Sequence, residues 1–292
     1  MRRKGYPMHP NLSNEFTSVS HPSVRYIEVT NIFILTLLGV RLTYGGLAAL
    51  AVQSNPAIVS ILNILYFFTT YLVTAILIWR VRDKLDEYRI SKAALILFLV
   101  SIPYQLFIAL TNLVDLPIIP ILPLLPITVW LVISLVKNKQ VRLVNPLTLS
   151  RWLLIGIGVG AFFGIFAGLL ITLQNNQMGN NDSIFTMILK PTIQISNAAV
   201  QEEPLFRGFL WVYLLQRGWK DHRIWLFQAF LFWIAHIYYL PSGEFYSLLI
   251  FPPLAGLFLG WIAWKAGDIA PSMLAHGFFN GIVQIVPGIV MR

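Results

Sequence analysis

Cysteine is absent from all 292 residues, so the chain forms no disulfide, offers no thiolate to a metal and has no thiol nucleophile. Charge is nearly as scarce. Asp, Glu, Lys and Arg make up 11% of the chain, against about 25% in a soluble domain. No polar stretch is long enough to fold as a separate aqueous domain. Several catalytic signatures are missing as well: there is no H-E-x-x-H for a zinc protease and no G-x-S-x-G for a serine nucleophile. Gly267-Asp268 stands alone, without a second aspartate at membrane depth to complete a dyad. A cleavable signal peptide is not expected either. The first 26 residues are polar, and the first apolar run is too long for an h-region.

What fills the chain instead is apolar sequence, 57% hydrophobic with mean hydropathy +0.71. Apolar runs of about 20 residues follow one another, the length a helix needs to cross a bilayer. Because lipid cannot satisfy backbone polar groups, the fold class is all-α, a polytopic transmembrane helical bundle. The pattern reads as about nine spans, or eight if one is dropped: about 27–52, 57–79, 92–112, 117–136, 152–174, 184–216, 224–240, 245–265 and 268–290. The fourth is punctuated by Pro117, Pro120, Pro123 and Pro126. Gly160-x-x-x-Gly164-x-x-x-Gly168 in the fifth reads as a face for close helix packing.

The formal net charge of +9 does not point to nucleic acid, because the basic residues sit in alternate short loops. Arg80, Arg82, Lys84, Arg89 and Lys92 occupy one connection, Lys137, Lys139, Arg142 and Arg151 another, and Arg217, Lys220 and Arg223 a third, with Lys265 in the last. The loops between them, 53–55, 175–183 and 241–244, carry no Lys or Arg. The positive-inside rule then places the N-terminus in the cytoplasm and the C-terminus outside. The expected location is a multi-pass position in a membrane, the plasma membrane if the source is prokaryotic. The lipid bilayer is the first partner. Oligomeric state has no signature. The expected organisation is a cytoplasmic tail (1–26), a four-span region without evident chemistry (27–150), where Arg41 is nearly the only intramembrane polar residue, and a region that holds the chemistry (151–292).

In that last region polar residues sit where lipid makes them costly. Each charged side chain near the bilayer centre opposes insertion by roughly 2.5–3.5 kcal/mol, so such residues have partners or uses. Glu203 and Arg207 are four apart and about 40° apart on a helix, the arrangement of an ion pair. Glu202 points about 100° away and is left to face a neighbouring helix. His236 follows Phe232 by one turn, and His276 and Asn280 share a face in the same way. Counted from the cytoplasmic ends at 1.5 Å per residue, Glu202 lies about 22 Å deep, His236 about 20 Å, His276 about 12 Å and Asn280 about 18 Å. Separate helices thus bring their polar residues to one slab. The residues support water-based hydrolysis with Glu202 as general base assisted by His236, His276 and Asn280 as oxyanion donors, and Glu203 and Arg207 holding the base helix. A zinc ion held by Glu202, His236 and His276 is an alternative to a reaction with no cofactor. A non-enzymatic immunity or scaffold protein is another, and a proton-coupled transporter a third.

The motifs E-E-x-x-x-R (Glu202, Glu203, Arg207), F-x-x-x-H (Phe232, His236) and H-x-x-x-N (His276, Asn280), in that order, resemble the CPBP family of intramembrane glutamate endopeptidases. That family comprises type II CAAX prenyl proteases and bacteriocin-processing or immunity (Abi) proteins. The resemblance covers roughly residues 150–290. It implies a membrane-embedded peptidase acting on membrane-anchored peptide or protein substrates, prenylated ones among them.

Overall fold

The computed structural model describes residues 24–52, 56–111, 121–136, 146–175, 183–239 and 245–290. Of these, 91% are helical and none lies in a strand. The helices are α1 (Val24–Val52), α2 (Pro56–Arg80), α3 (Lys92–Leu110), α4 (Leu124–Val136), α5 (Pro146–Asn175), α6 (Ile184–Gln194), α7 (Val200–Glu203), α8 (Leu210–Gln216), α9 (Asp221–Ile234), α10 (Phe245–Ala266) and α11 (Ala270–Val290). The tail 1–26 lies almost wholly outside the described residues.

Among the described residues, six helices are long and apolar enough to cross a membrane: those in α1, α2, α3, α5, α10 and α11. The other stretches read as spans in the sequence are shorter or interrupted. α4 has 13 residues and α9 has 14. The stretch 184–216 is a rod in which α6, α7 and α8 are joined by π turns at Ile195–Ala199 and Pro204–Phe209. Pro204 opens the second π turn. It has no N–H to give to the preceding turn, and its ring crowds the carbonyl four residues back, so the helix widens there. Both carboxylates of the Glu-Glu pair sit on the single α turn between the two wide turns.

Glycine sets how closely the site helices approach. A Cβ on Gly156 or Gly160 would run into the backbone oxygen of Pro271 or Ala275, and one on Gly164 or Gly168 into Ile282 or Val286. The glycine face of α5 therefore lies against α11, as its spacing indicates. α11 presses its own Gly277 on Ile195 and Gly281 on Pro191, which brings His276 up to the Glu-Glu turn. On the far side, a Cβ on Gly45 would sit 2.7 Å from the carbonyl oxygen of Ala235. α1 thereby reaches the end of α9, and Arg41, one turn earlier on the same face, comes beside His236.

The basic ends of the helices are knotted together. Arg89 forms a 3.2 Å ion pair with Asp221, whose Oδ1 also accepts from Trp211 Nε1 at 2.8 Å, and the guanidinium lies 4.5 Å from the Trp211 ring centre. Burial holds the Arg89 guanidinium below its ordinary pKa, with Asp221 opposing the shift. The Arg89 carbonyl accepts from Ile269 N at 3.0 Å, tying this loop to the start of α11. There Asp268 accepts from Ala270 N at 2.8 Å.

Candidate active site

Glu202 is 6% exposed and Glu203 is fully buried, yet their surroundings differ. Glu203 Oε1 accepts from His276 Nδ1 at 2.8 Å and pairs with Arg207 Nη1 at 3.3 Å. Its Oε2 accepts a short hydrogen bond from Ser272 Oγ. The expected Glu203–Arg207 pair is present. Ser272 and His276 are additional partners, both on α11, four residues apart. Arg207 also lies 4.5 Å from the Phe232 ring centre and 5.5 Å from that of Phe206. Its nitrogens make no hydrogen bond among the described residues, so charge and ring faces alone compensate it.

Glu202 faces the other way. Its Oε1 is 2.7 Å from Arg41 Nη2, an ion pair between α7 and α1. Its Oε2 has no hydrogen-bond partner among the described residues and lies 3.9 Å from His236 Nε2 and 4.0 Å from His276 Nε2. Those gaps are too long for direct hydrogen bonds and suit one bridging water.

The two imidazoles are held in defined orientations. His236 Nδ1 is 2.7 Å from the Phe232 carbonyl, so that nitrogen carries the proton, and Nε2 accepts from Arg41 Nη2 at 3.1 Å. His276 Nδ1–H donates to Glu203, which leaves its Nε2 directed at Glu202. A hydrogen bond at one ring nitrogen fixes what the other can do. Phe232 packs between them, its ring centre 4.5 Å from that of His236 and 5.9 Å from that of His276.

Glu202, His236, His276 and Asn280 line one cavity of about 490 Å³, with Tyr238 and Tyr239 on its wall. The structure therefore brings all four sequence-derived residues to one space, with Asn280 half-buried one turn beyond His276. Arg41 was not assigned a role in the sequence, and its contact with His236 spans 195 positions. Its signal was nevertheless available: a lone charge in the middle of an apolar span needs a partner. Ser272 carries no comparable signal, since serine in a membrane helix commonly bonds its own backbone.

Residues 184–282 match the family model described as Type II CAAX prenyl endopeptidase Rce1-like. All three motifs fall inside that segment, and the match agrees with the family they resemble. Arg41 lies outside it. No curated protein and no solved structure matches the chain.

Proposed function

We propose that this protein is an intramembrane endopeptidase that hydrolyses peptide bonds in membrane-held polypeptides, with a water activated by Glu202. The observation that carries the reading is Glu202, a residue lining the cavity whose buried Oε2 has no hydrogen bond among the described residues and is flanked by two imidazoles. The match to an endopeptidase family supports it. The chemistry belongs to 151–292, with Arg41 contributed from 27–150.

A water between Glu202 Oε2 and His276 Nε2 directs its hydrogens at both and keeps a lone pair for a carbonyl in the cavity. As the oxygen attacks, Glu202 takes the proton and later delivers it to the leaving amine, the step in which the C–N bond breaks. The Asn280 amide donates to the developing oxyanion, while His276 Nε2 keeps the hydrogen bond that holds the water. Glu203 orients His276 as the third member of a triad orients its base, and Arg207 offsets the charge of Glu203. Arg41 fixes Glu202 and His236 at once.

The same arrangement argues against zinc as the agent that activates the water. A metal bound by Glu202, His236 and His276 needs the Nε2 lone pair of His236, which accepts from Arg41, and would sit beside a guanidinium 2.7 Å from Glu202. The donor set does not fit a cation while Arg41 is in place. The function is tested by incubating the purified protein with a library of lipidated peptides and reading the products by mass spectrometry. Cleavage that disappears in Glu202→Gln supports the proposal; no cleavage of any member, prenylated or not, sinks it in favour of a non-enzymatic role.

A further inference from the structure

We infer that Gln194 and Gln284, eight residues from Glu202 and His276 respectively and on the wall of the same cavity, bind the main chain of the substrate and hold it extended. Recognition at this pair is of a peptide bond, and it lies about three to four residues from the bond that is cut. The inference deepens the peptidase reading and rests on it for the word substrate; the arrangement of the amides stands on geometry alone.

Two rows of residues line the cavity along its length. On the rod they are Gln194, Ala198 and Glu202; on α11 they are His276, Asn280 and Gln284. The rows flank the seam where the two helices touch, with Gly277 on Ile195 and Gly281 on Pro191. Those contacts make the helices antiparallel, so Gln194 and Gln284 lie at the same end. Lys190 Nζ, one turn before Gln194, donates to the Gln284 carbonyl there at 3.1 Å. Side chains lean toward the start of their own helix, which turns the two amides toward one level. The wide turn Ile195–Ala199 is what keeps Gln194 in its row. In a straight α-helix, residues eight apart differ by about 80° in direction, but a π turn takes up one extra residue and cuts this to about 20°.

Three properties suit this pair to a peptide backbone. A carboxamide carries both a donor and an acceptor, the complement of a peptide bond. Among the described residues the side-chain amides of Gln194, Asn280 and Gln284 make no hydrogen bond, so they are available to whatever fills the cavity. The spacing fits as well. Along each helix the levels repeat every four residues, about 6 Å, and an extended chain repeats every two, about 6.6 Å. With its scissile carbonyl between Glu202 and Asn280, an extended chain passes Ala198, whose methyl leaves room for the backbone. It reaches Gln194 and Gln284 about 12 Å on, after three to four residues. A helical segment cannot make these contacts, because its backbone groups are already paired along the helix. The substrate is therefore unwound over that length.

The test uses the purified full chain, a lipidated peptide that it cleaves, and copies of that peptide N-methylated at one peptide bond at a time. Gln194→Met and Gln284→Met keep the bulk of each side chain and remove its hydrogen bonds. Each should raise KM by about 3–10-fold, as loss of one hydrogen bond does, with kcat within about two-fold and melting unchanged. N-methylation three or four residues from the cut should weaken binding to the parent and have no further effect in the Gln194→Met/Gln284→Met double variant. A purely structural role for the two residues would leave that sensitivity in place. An equal N-methylation penalty in parent and double variant, or a fall in kcat at unchanged KM, overturns the inference. Gln284→Met alone carries the same comparison if the double variant does not fold. If the parent cleaves no peptide, fluorescence anisotropy reads binding of the same labelled set to parent and variant. Binding that responds to N-methylation only in the parent removes the peptidase reading and keeps the amide pair. Binding without that response, or no binding, overturns the pair.

Discussion

Glu202 and Glu203 are adjacent in the chain but occupy unlike environments. Glu203 is enclosed, with every partner on its own rod or on α11: Arg207, Ser272 and His276. Glu202 is held across the whole fold by α1, through one oxygen, while the other is left for whatever enters the cavity. A carboxylate whose lone pairs are all engaged is suited to positioning other groups. One with a spare buried oxygen is poised to take a proton. Two charges that cost alike to bury thus sit in different settings, and the difference is set by which helix brings the arginine.

The comparison breaks most visibly at the proposed base. Glu202→Gln and His236→Ala should lower turnover by about 10²–10⁴-fold, the usual contribution of a positioned acid–base group. The protein should still insert and purify as one species. Arg41 would retain His236 as an acceptor and the rings of Tyr44 and Tyr66, 5.8 and 5.3 Å away, to compensate its charge. If Glu202→Gln unfolds the protein while Glu203→Gln spares the fold and removes activity, the assignment of the two carboxylates is reversed.

At the enclosed site the expected effect moves from rate to stability. Arg207→Ala strands the charge of Glu203, and Glu203→Gln that of Arg207, each at about 3–5 kcal/mol for a broken buried pair. Thermal unfolding in detergent, followed on the purified variants, reads this directly. Unchanged melting in both would show that the pair is not structural.

Ser272→Ala sharpens the same point on a smaller scale. A hydrogen bond to a charged group contributes about 1.5–3 kcal/mol, and removing this one leaves Glu203 with His276 and Arg207. A modest fall in melting temperature with turnover kept within a few-fold is the expected outcome. A collapse of turnover without loss of stability would place Ser272 in the reaction itself.

How much of this was legible depends on the range over which each residue finds its partner. Glu203 and Arg207 pair within one rod, and their spacing announces it. His236 and His276 follow from depth, since helix rise converts position to height. Arg41 does not, because height alone cannot say which neighbours α1 has; Gly45 against Ala235 decides that, and nothing in the sequence names the pair. The number of spans was blurred for a related reason. Apolar content marks α9 as a span, but where it stops is fixed by packing around His236. The π turns at Ile195–Ala199 and Pro204–Phe209 alter the register of the rod without altering its composition.

The smallest expected effect is none at all, and it tests the role of Arg41. If the guanidinium occupies the place a metal would need, exhaustive chelation should leave turnover unchanged, and elemental analysis should find well under one zinc per chain. Arg41→Ala frees the Nε2 lone pair of His236 and removes the positive charge next to Glu202. Glu202 Oε2 then lies 3.9 Å from His236 Nε2 and 4.0 Å from His276 Nε2 without the guanidinium beside it, within reach of one shared ion once side chains relax. That variant should gain measurable zinc affinity over the parent, in calorimetry on the purified protein, while losing turnover. Loss of parental activity on chelation, restored by stoichiometric zinc or cobalt, would make the three residues metal ligands and require Arg41 to move aside in the working enzyme.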